Sequence, residues 1–258
     1  TEPQLAADPT LNAAEHDRFI VQRPALALTH RHVFSDRLLL QTGAYAYQTA
    51  RVWRRQEFDR RDLGLPYERV CDGAGRCGAP GAAGVTPGDD GSSVFLRQTT
   101  ALRDRAFWVA GVEPRLTYSW AAPRVLTGEL TALARFHYER ARTQIIIGST
   151  PTAEAGDPRD DEVRNGYALA AALQSRFSLW ERLHITPGLR VESFWSDRRI
   201  QRVPVTRADG LTIGTDTDRF GRAASFALIP ALGLSAQAAG PLTLYAGVHR
   251  AYAPPRPQ

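Results

Sequence analysis

Apolar residues in this chain recur at every second position. In residues 183–191, Leu183, Ile185, Pro187, Leu189 and Val191 fall on one face, while His184, Thr186, Gly188 and Arg190 fall on the other. That is the pattern of a strand with one greasy and one wet side. The segment before it repeats the construction. Tyr167, Leu169, Ala171, Leu173 and Phe177 share a face against Gln174, Arg176 and small alanines, and residues 179–182 are short enough for a hairpin turn. Trp108, Ala110, Val112, Pro114, Leu116, Tyr118 and Trp120 alternate against Glu113, Arg115, Thr117 and Ser119. After Ala122-Pro123, a partner strand sets Leu126, Leu130, Ala132, Ala134, Phe136 and Tyr138 against Glu129, Arg135, His137 and Glu139. Two further pairs are predicted at 226–234 with 242–248, and at 24–33 with 38–53.

Eight strands in four hairpins result. Turns within a hairpin are a few residues. Links between hairpins are long, at 59–104, 148–163 and 204–222, and are rich in Gly, Pro, Asp and Arg.

Three features of this pattern share one cause. The strands exceed the usual five or six residues, their polar faces carry Arg, Glu, His and Gln, and short connections alternate with long ones. A transmembrane β-barrel accounts for all three, because each strand must cross the hydrocarbon with lipid on one face and a wet lumen on the other. The pattern therefore predicts an all-β fold, an antiparallel transmembrane β-barrel segment of about eight long strands with short periplasmic turns and long extracellular loops. Tyr118, Trp120 and Trp180, near short turns, suit an interfacial girdle. Two readings compete with it. One is a self-contained eight-stranded barrel with a structural or adhesive role, and the other is a soluble basic β module.

Composition narrows this. The chain has 258 residues, 43% hydrophobic and 23% charged, with 32 basic against 27 acidic side chains and every basic one an arginine. The positive charge is spread along the chain and no recognition motif accompanies it, which argues against nucleic acid as a partner. Residues 223–248 carry no charge, but Pro230, Gly233, Gly240 and Pro241 interrupt them, so a hairpin is expected there and not a membrane helix. Residues 73–78 match G-x-G-x-x-G, yet prolines follow and no helix can start, so no nucleotide site is expected. His30 and His32 share a strand face without a third ligand and read as polar positions, not a metal site. No catalytic signature occurs, and neither an enzyme nor a resident cofactor is expected. Met is absent and no leader pattern opens the sequence, so an internal or processed piece of a longer chain is expected.

The stretch Ile229-Pro-Ala-Leu-Gly-Leu-Ser, and then Pro241-Leu-Thr-Leu-Tyr-Ala-Gly-Val-His-Arg-Ala-Tyr-Ala-Pro-Pro-Arg256, resembles the barrel of TonB-dependent outer-membrane receptors, most of all the ferric-citrate and siderophore group. Glu15-His-Asp-Arg-Phe, Val52-Trp-Arg-Arg and Pro187-Gly-Leu-Arg-Val-Glu192 support it. The resemblance spans residues 1–258 as a partial barrel domain, with 59–104 as a long extracellular loop. It implies a bacterial outer-membrane location and energised uptake of an anionic iron chelate as transported ligand. The implied partners are membrane lipid, lipopolysaccharide, and the TonB system through a plug domain that this sequence lacks.

Within that frame, arginine forks suit an anionic chelate. Arg54, Arg55, Arg60, Arg61, Arg69 and Arg76, at or beyond the outer end of the second strand, are candidate ligand-binding residues. His249, Arg250 and Tyr252, expected at the outer end of the last strand, join them. Cys71 and Cys77 flank a turn-forming Asp-Gly-Ala-Gly-Arg, and in an oxidising extracellular loop they are expected to form a disulfide. The acidic stretch 154–162 reads as a solvated outer loop.

Overall fold

The structure, a computed structural model, describes residues 14–122, 126–180, 182–207 and 212–252. All its regular elements are strands: β1 (Arg18–Gln22), β2 (Ala25–Ser35), β3 (Leu38–Asp59), β4 (Tyr67–Cys71), β5 (Cys77–Gly78), β6 (Val94–Ala122), β7 (Leu126–Gly148), β8 (Asp157–Leu179), β9 (Leu183–Thr206), β10 (Thr212–Ala239) and β11 (Leu242–His249). They form one antiparallel sheet ordered β1-β3-β6-β7-β8-β9-β10-β11. β2 also pairs with β3, so β1 and β2 act as one edge strand broken at Arg23-Pro24. The sheet does not close, and β1/β2 and β11 are its two edges.

All eight expected strands are present, and each pairs with its expected hairpin partner. Residues 223–248 form the β10–β11 hairpin, turning at Gly240, whose φ of 49° suits glycine. The strands run further than the alternation predicts. β6 has 29 residues, β10 has 28 and β9 has 24. The expected links therefore shrink: β6 begins at Val94, β8 at Asp157 and β10 at Thr212. The reason is that these outer segments mix polar and apolar residues on both faces and so lose the alternation. A backbone ladder needs no greasy side, and cross-strand ion pairs such as Arg202–Asp216 (2.6 Å) and Arg198–Glu162 (2.7 Å) line it.

Register defines the two faces. Leu40, Leu116, Ala132, Leu173, Leu189 and Pro230 are successive cross-strand partners. One residue along, the partners are Gln41, Arg115, Leu133, Ala172, Arg190 and Ile229, pointing to the opposite side. The apolar face ends at a row containing Tyr138, Tyr167 and Trp195. The next row on that face carries Trp108, Arg140, Asn165, Asp197 and Arg222. From Leu126 to Tyr138 along β7 the apolar band is about 30 Å tall, at ~3.3 Å per residue and a barrel-like tilt of ~40°. That matches the hydrocarbon thickness of a bilayer.

The greasy face is not packed into a core. Leu26 is 73% exposed, Phe226 68% and Leu173 51%. The buried apolar cluster of Tyr67, Val70 and Phe95, with Leu65 and Val85 against it, is formed by β4, the first residues of β6 and the segments beside β4, away from the apolar band. Among the described residues, no helix is long and apolar enough to cross a membrane.

Candidate functional site

The polar face of β3 and β6 near the long-loop end gathers arginines. Parity from Tyr45 and Tyr47 carries Arg51, Trp53, Arg55 and Glu57 onto this face. Across the ladder, Arg51 faces Arg105, Trp53 faces Arg103, and Arg55 faces Ala101. Directly opposed like charges destabilise a strand pair. Among the described residues, none of Arg51, Arg55, Arg103 and Arg105 has a carboxylate partner. The rings nearby carry them instead. The guanidinium of Arg55 lies 5.3 Å from the Trp53 ring centre and 5.0 Å from that of Phe58. Arg103 lies 5.6 Å from Trp53, and Arg51 lies 5.8 Å from Phe107. The Arg103 Nε is buried without a hydrogen-bond partner. Four cations gathered on one face against their mutual repulsion, one with a buried unpaired donor, make an electropositive patch suited to anionic groups.

Of the four, Arg55 and Arg103 line a cavity of about 520 Å³. Leu65 and Pro66, from the segment before β4, wall it on the loop side. Arg97 and Arg159 also line it, but both are engaged: Arg97 forks onto Asp59 (2.7 Å twice) and Arg159 reaches Glu57 at 3.5 Å. Glu162, on the same face of β8 beyond the apolar band, holds Arg164 and Arg198. Burial pushes its carboxyl up, but hydrogen bonds from those two guanidiniums outweigh that and keep it below the usual carboxylate range. The unneutralised charge therefore stays with β3 and β6.

Lower on the same face, Tyr45 Oη lies 2.7 Å from His137 Nδ1 and accepts from Arg135 (3.2 Å). Gly111, directly opposite Tyr45, makes room for the ring, since a Cβ there would strike it. Arg190 pairs with Glu192 at 2.6 Å. The Arg135 Nε is also buried without a hydrogen-bond partner, so an unmet donor is shared with the cluster above.

The residues predicted from sequence scatter. Arg55 alone joins the cluster. Arg54 points to the opposite face, where it donates to the His16 and Thr152 carbonyls. Arg60 rests near Phe58 and Arg61 is exposed. Arg69 pairs with Glu15 at 2.8 Å and Arg76 with Asp72 at 2.7 Å. His249, Arg250 and Tyr252 are not at the loop end. β11 has 8 residues and stops opposite Ala231, far short of Thr212. Tyr252 instead lies on the polar face beside Arg135, His137 and Arg190, and Arg250 donates to the Pro230 and Leu228 carbonyls.

Cys71 and Cys77 are disulfide-bonded across the β4–β5 pair. Buried Asp72 organises the segment they clamp, accepting from the Ala74, Arg76 and Thr86 backbone and from the Arg76 side chain. Burial alone would raise its carboxyl, but the Arg76 and Thr86 donors hold it below the ordinary carboxylate value. Among the described residues, no group of three or more His, Cys, Asp or Glu is placed to hold a metal ion.

The family described as TonB dependent receptor-like, beta-barrel matches residues 3–258. The chain belongs to this family. Proteins of the TonB-dependent receptor family are outer-membrane receptors of Gram-negative bacteria. Among solved structures, the ferric citrate transporter FecA, unliganded, is similar with a TM-score of 0.62 and 16% identity, over 90% of this chain and 28% of its own. The ferric-catecholate import receptor Fiu from E. coli K12 gives 0.58 and 9%, over 91% and 36%. The siderophore receptor PiuA from Acinetobacter baumannii gives 0.54 and 11%, over 90% and 32%. At such identities the likeness is one of fold, and this chain spans only 28–36% of those receptors' lengths. No curated protein matches it in sequence. In a TonB-dependent receptor barrel the apolar face is the lipid side and the polar face the lumen, so the arginine cluster is lumenal.

Proposed function

We propose that this chain forms part of the wall of an outer-membrane TonB-dependent receptor that takes up an anionic iron chelate. The observation that carries this reading is the group Arg51, Arg55, Arg103 and Arg105 on the polar face, without carboxylate partners among the described residues, of which Arg55 and Arg103 line a cavity of about 520 Å³. Arginine forks bind carboxylate and phenolate oxygens through paired, charge-assisted hydrogen bonds. The wall does no bond chemistry. It holds the chelate by charge until energy delivered by the TonB system, through a plug domain in the lumen, opens the path inward. Lipid and lipopolysaccharide surround the apolar face. Arg55, with Arg51, Arg103 and Arg105, supplies the wall's share of the ligand contacts, while Arg69 and Arg76 brace the loop above.

The test is retention of radioactive ferric chelates by the chain refolded in detergent. Anionic ferric chelates should be held and a neutral ferric trihydroxamate should not. A triple Arg51→Gln, Arg103→Gln, Arg105→Gln variant should lose the retention. If the unmodified, folded chain retains no anionic chelate, the proposal fails.

A further inference from the structure

The apolar face carries a groove at its long-loop end. Leu26, Ala46, Ala110 and Tyr138 are successive cross-strand partners in the last apolar row. The row above them holds Gln48, Trp108 and Arg140. Two alanines between a leucine and a tyrosine leave the lower row hollow, and Trp108 overhangs the hollow from above. Pro24, at the break in the edge strand, closes one end, its carbonyl accepting from the Gln48 N–H at 3.1 Å. The resulting groove has a volume of about 440 Å³ and is lined almost wholly by carbon. Its mouth is polar. The Arg140 guanidinium lies 5.9 Å from the Trp108 ring centre and has no carboxylate partner among the described residues. Arg142 and Arg199, higher on the same face, are engaged by Asp161 at 3.1 Å and Asp218 at 2.8 Å. Asp197, on the row of Arg140, accepts from Asn165 at 2.8 Å. The Gln48 side-chain amide has no hydrogen-bond partner among the described residues. Hydrocarbon fills such a groove on the lipid side, but lipid tails are as apolar elsewhere, so the groove selects by fit alone. The stronger selection comes from the mouth, at headgroup level. A guanidinium without an acid there binds phosphate oxygens through paired, charge-assisted hydrogen bonds, and an amide suits hydroxyls. The rows lie on the long-loop side, which faces the outer leaflet.

We infer that this groove holds one acyl chain of an acylated sugar phosphate, the lipid A portion of lipopolysaccharide, with its phosphate on Arg140 and a sugar hydroxyl on Gln48. The inference deepens the proposed reading in which lipopolysaccharide surrounds the apolar face, and it is independent of what the lumen wall binds. Arg140 is the residue that selects the phosphate, because the groove below accepts any acyl chain.

The experiment uses the full 258-residue chain inserted in phosphatidylcholine bilayers, with far-UV circular dichroism as the folding control. A trace of radiolabelled lipid is added, the membranes are dissolved in mild detergent, and the lipid retained per chain is counted after gel filtration. Lipid A should be retained about tenfold more than lipid A stripped of its phosphates, and about threefold more than phosphatidylglycerol. Arg140→Gln should lower lipid A retention about tenfold and leave the stripped form within about twofold. Gln48→Leu should bring lipid A down to the level of phosphatidylglycerol. Ala110→Leu, which fills the groove, should lower retention of both forms of lipid A about threefold. Arg222→Gln, on the row of Arg140 but three strands away, should leave lipid A within about twofold. Equal retention of phosphorylated and stripped lipid A by the unmodified chain overturns the inference and leaves the lipid face standing. So does phosphatidylglycerol held as tightly as lipid A, an Arg140→Gln chain that keeps full retention, or an Arg222→Gln chain that loses as much as Arg140→Gln. Release of lipid A by millimolar inorganic phosphate also overturns it, since the arginine would then be a site for the free anion. A chain that folds in detergent but enters no bilayer refutes the lipid face itself.

Discussion

Replacing Arg105 with Gln should make the folded chain more stable while weakening its hold on anions. Arg105 sits directly across from Arg51, Arg103 lies two residues away on the same face, and no acid neutralises any of them among the described residues. Two unit charges about 6 Å apart in water repel by about 0.7 kcal/mol. The lumen is wet, so this solvent-screened figure is the relevant one, and Arg103 adds a smaller term of the same sign. At low salt the variant should gain about 0.5–1 kcal/mol. At physiological ionic strength, where the screening length is about 8 Å, roughly half of that should remain. Gln keeps the stem of the side chain and its hydrogen-bonding capacity, so little packing is lost. Urea unfolding from lipid vesicles at low and physiological salt reads the stability, and equilibrium dialysis of an anionic ferric chelate reads the affinity. A variant that is less stable than the parent, or a difference indifferent to salt, would mean that Arg105 serves the fold and that the cluster was misread.

Leu116 and Thr117 are neighbours on β6 that face opposite ways, Leu116 between Leu40 and Ala132 and Thr117 between Leu39 and Thr131. Leu116→Arg should cost about 2–4 kcal/mol in a bilayer, and Thr117→Arg less than about 1 kcal/mol, by the same vesicle unfolding measurement. Equal costs would remove the distinction between lipid and lumen faces. The Asp72 carboxyl is held below its ordinary value in the fold, so its contribution is present above the unfolded carboxylate pKa of about 4 and is lost as pH falls through the lowered native value. Protection of the amides at residues 74, 76 and 86 from hydrogen exchange, measured against their intrinsic rates at each pH, should therefore fall on strong acidification. In Asp72→Asn that protection should already be low at neutral pH. Slow exchange in that variant would show that the disulfide alone holds the segment.

Period two was enough to place eight strands and pair them, because lipid on one side forces every second residue of residues 108–120 or 183–191 to be apolar. Beyond the lipid band, as in 94–104 and 157–163, nothing selects alternation, and those stretches read as links although they belong to β6 and β8. The same blindness hid Arg103 and Arg105, which fell in or beside a supposed link. Parity could have separated Arg54 from Arg55. Counting from Tyr45 puts Arg55 on the lumen face and Arg54 on the other, a signal obscured by treating the two as one basic cluster. The position of His249 was not legible, since the sequence does not reveal where a strand stops climbing beside its neighbour. Asp72 as the hub of the loop was equally out of reach, because its donors converge only after the β4–β5 turn has formed.

The account depends most on adjacent residues of one strand meeting different solvents. Spin labels placed singly at positions 112 to 117 of β6, with the chain reconstituted in lipid bilayers, report this through collision with oxygen, which concentrates in hydrocarbon, and with a water-soluble nickel chelate. The account predicts that 112, 114 and 116 collide with oxygen and that 113, 115 and 117 collide with nickel. Labels that respond alike along the strand, or with the opposite parity, would contradict it.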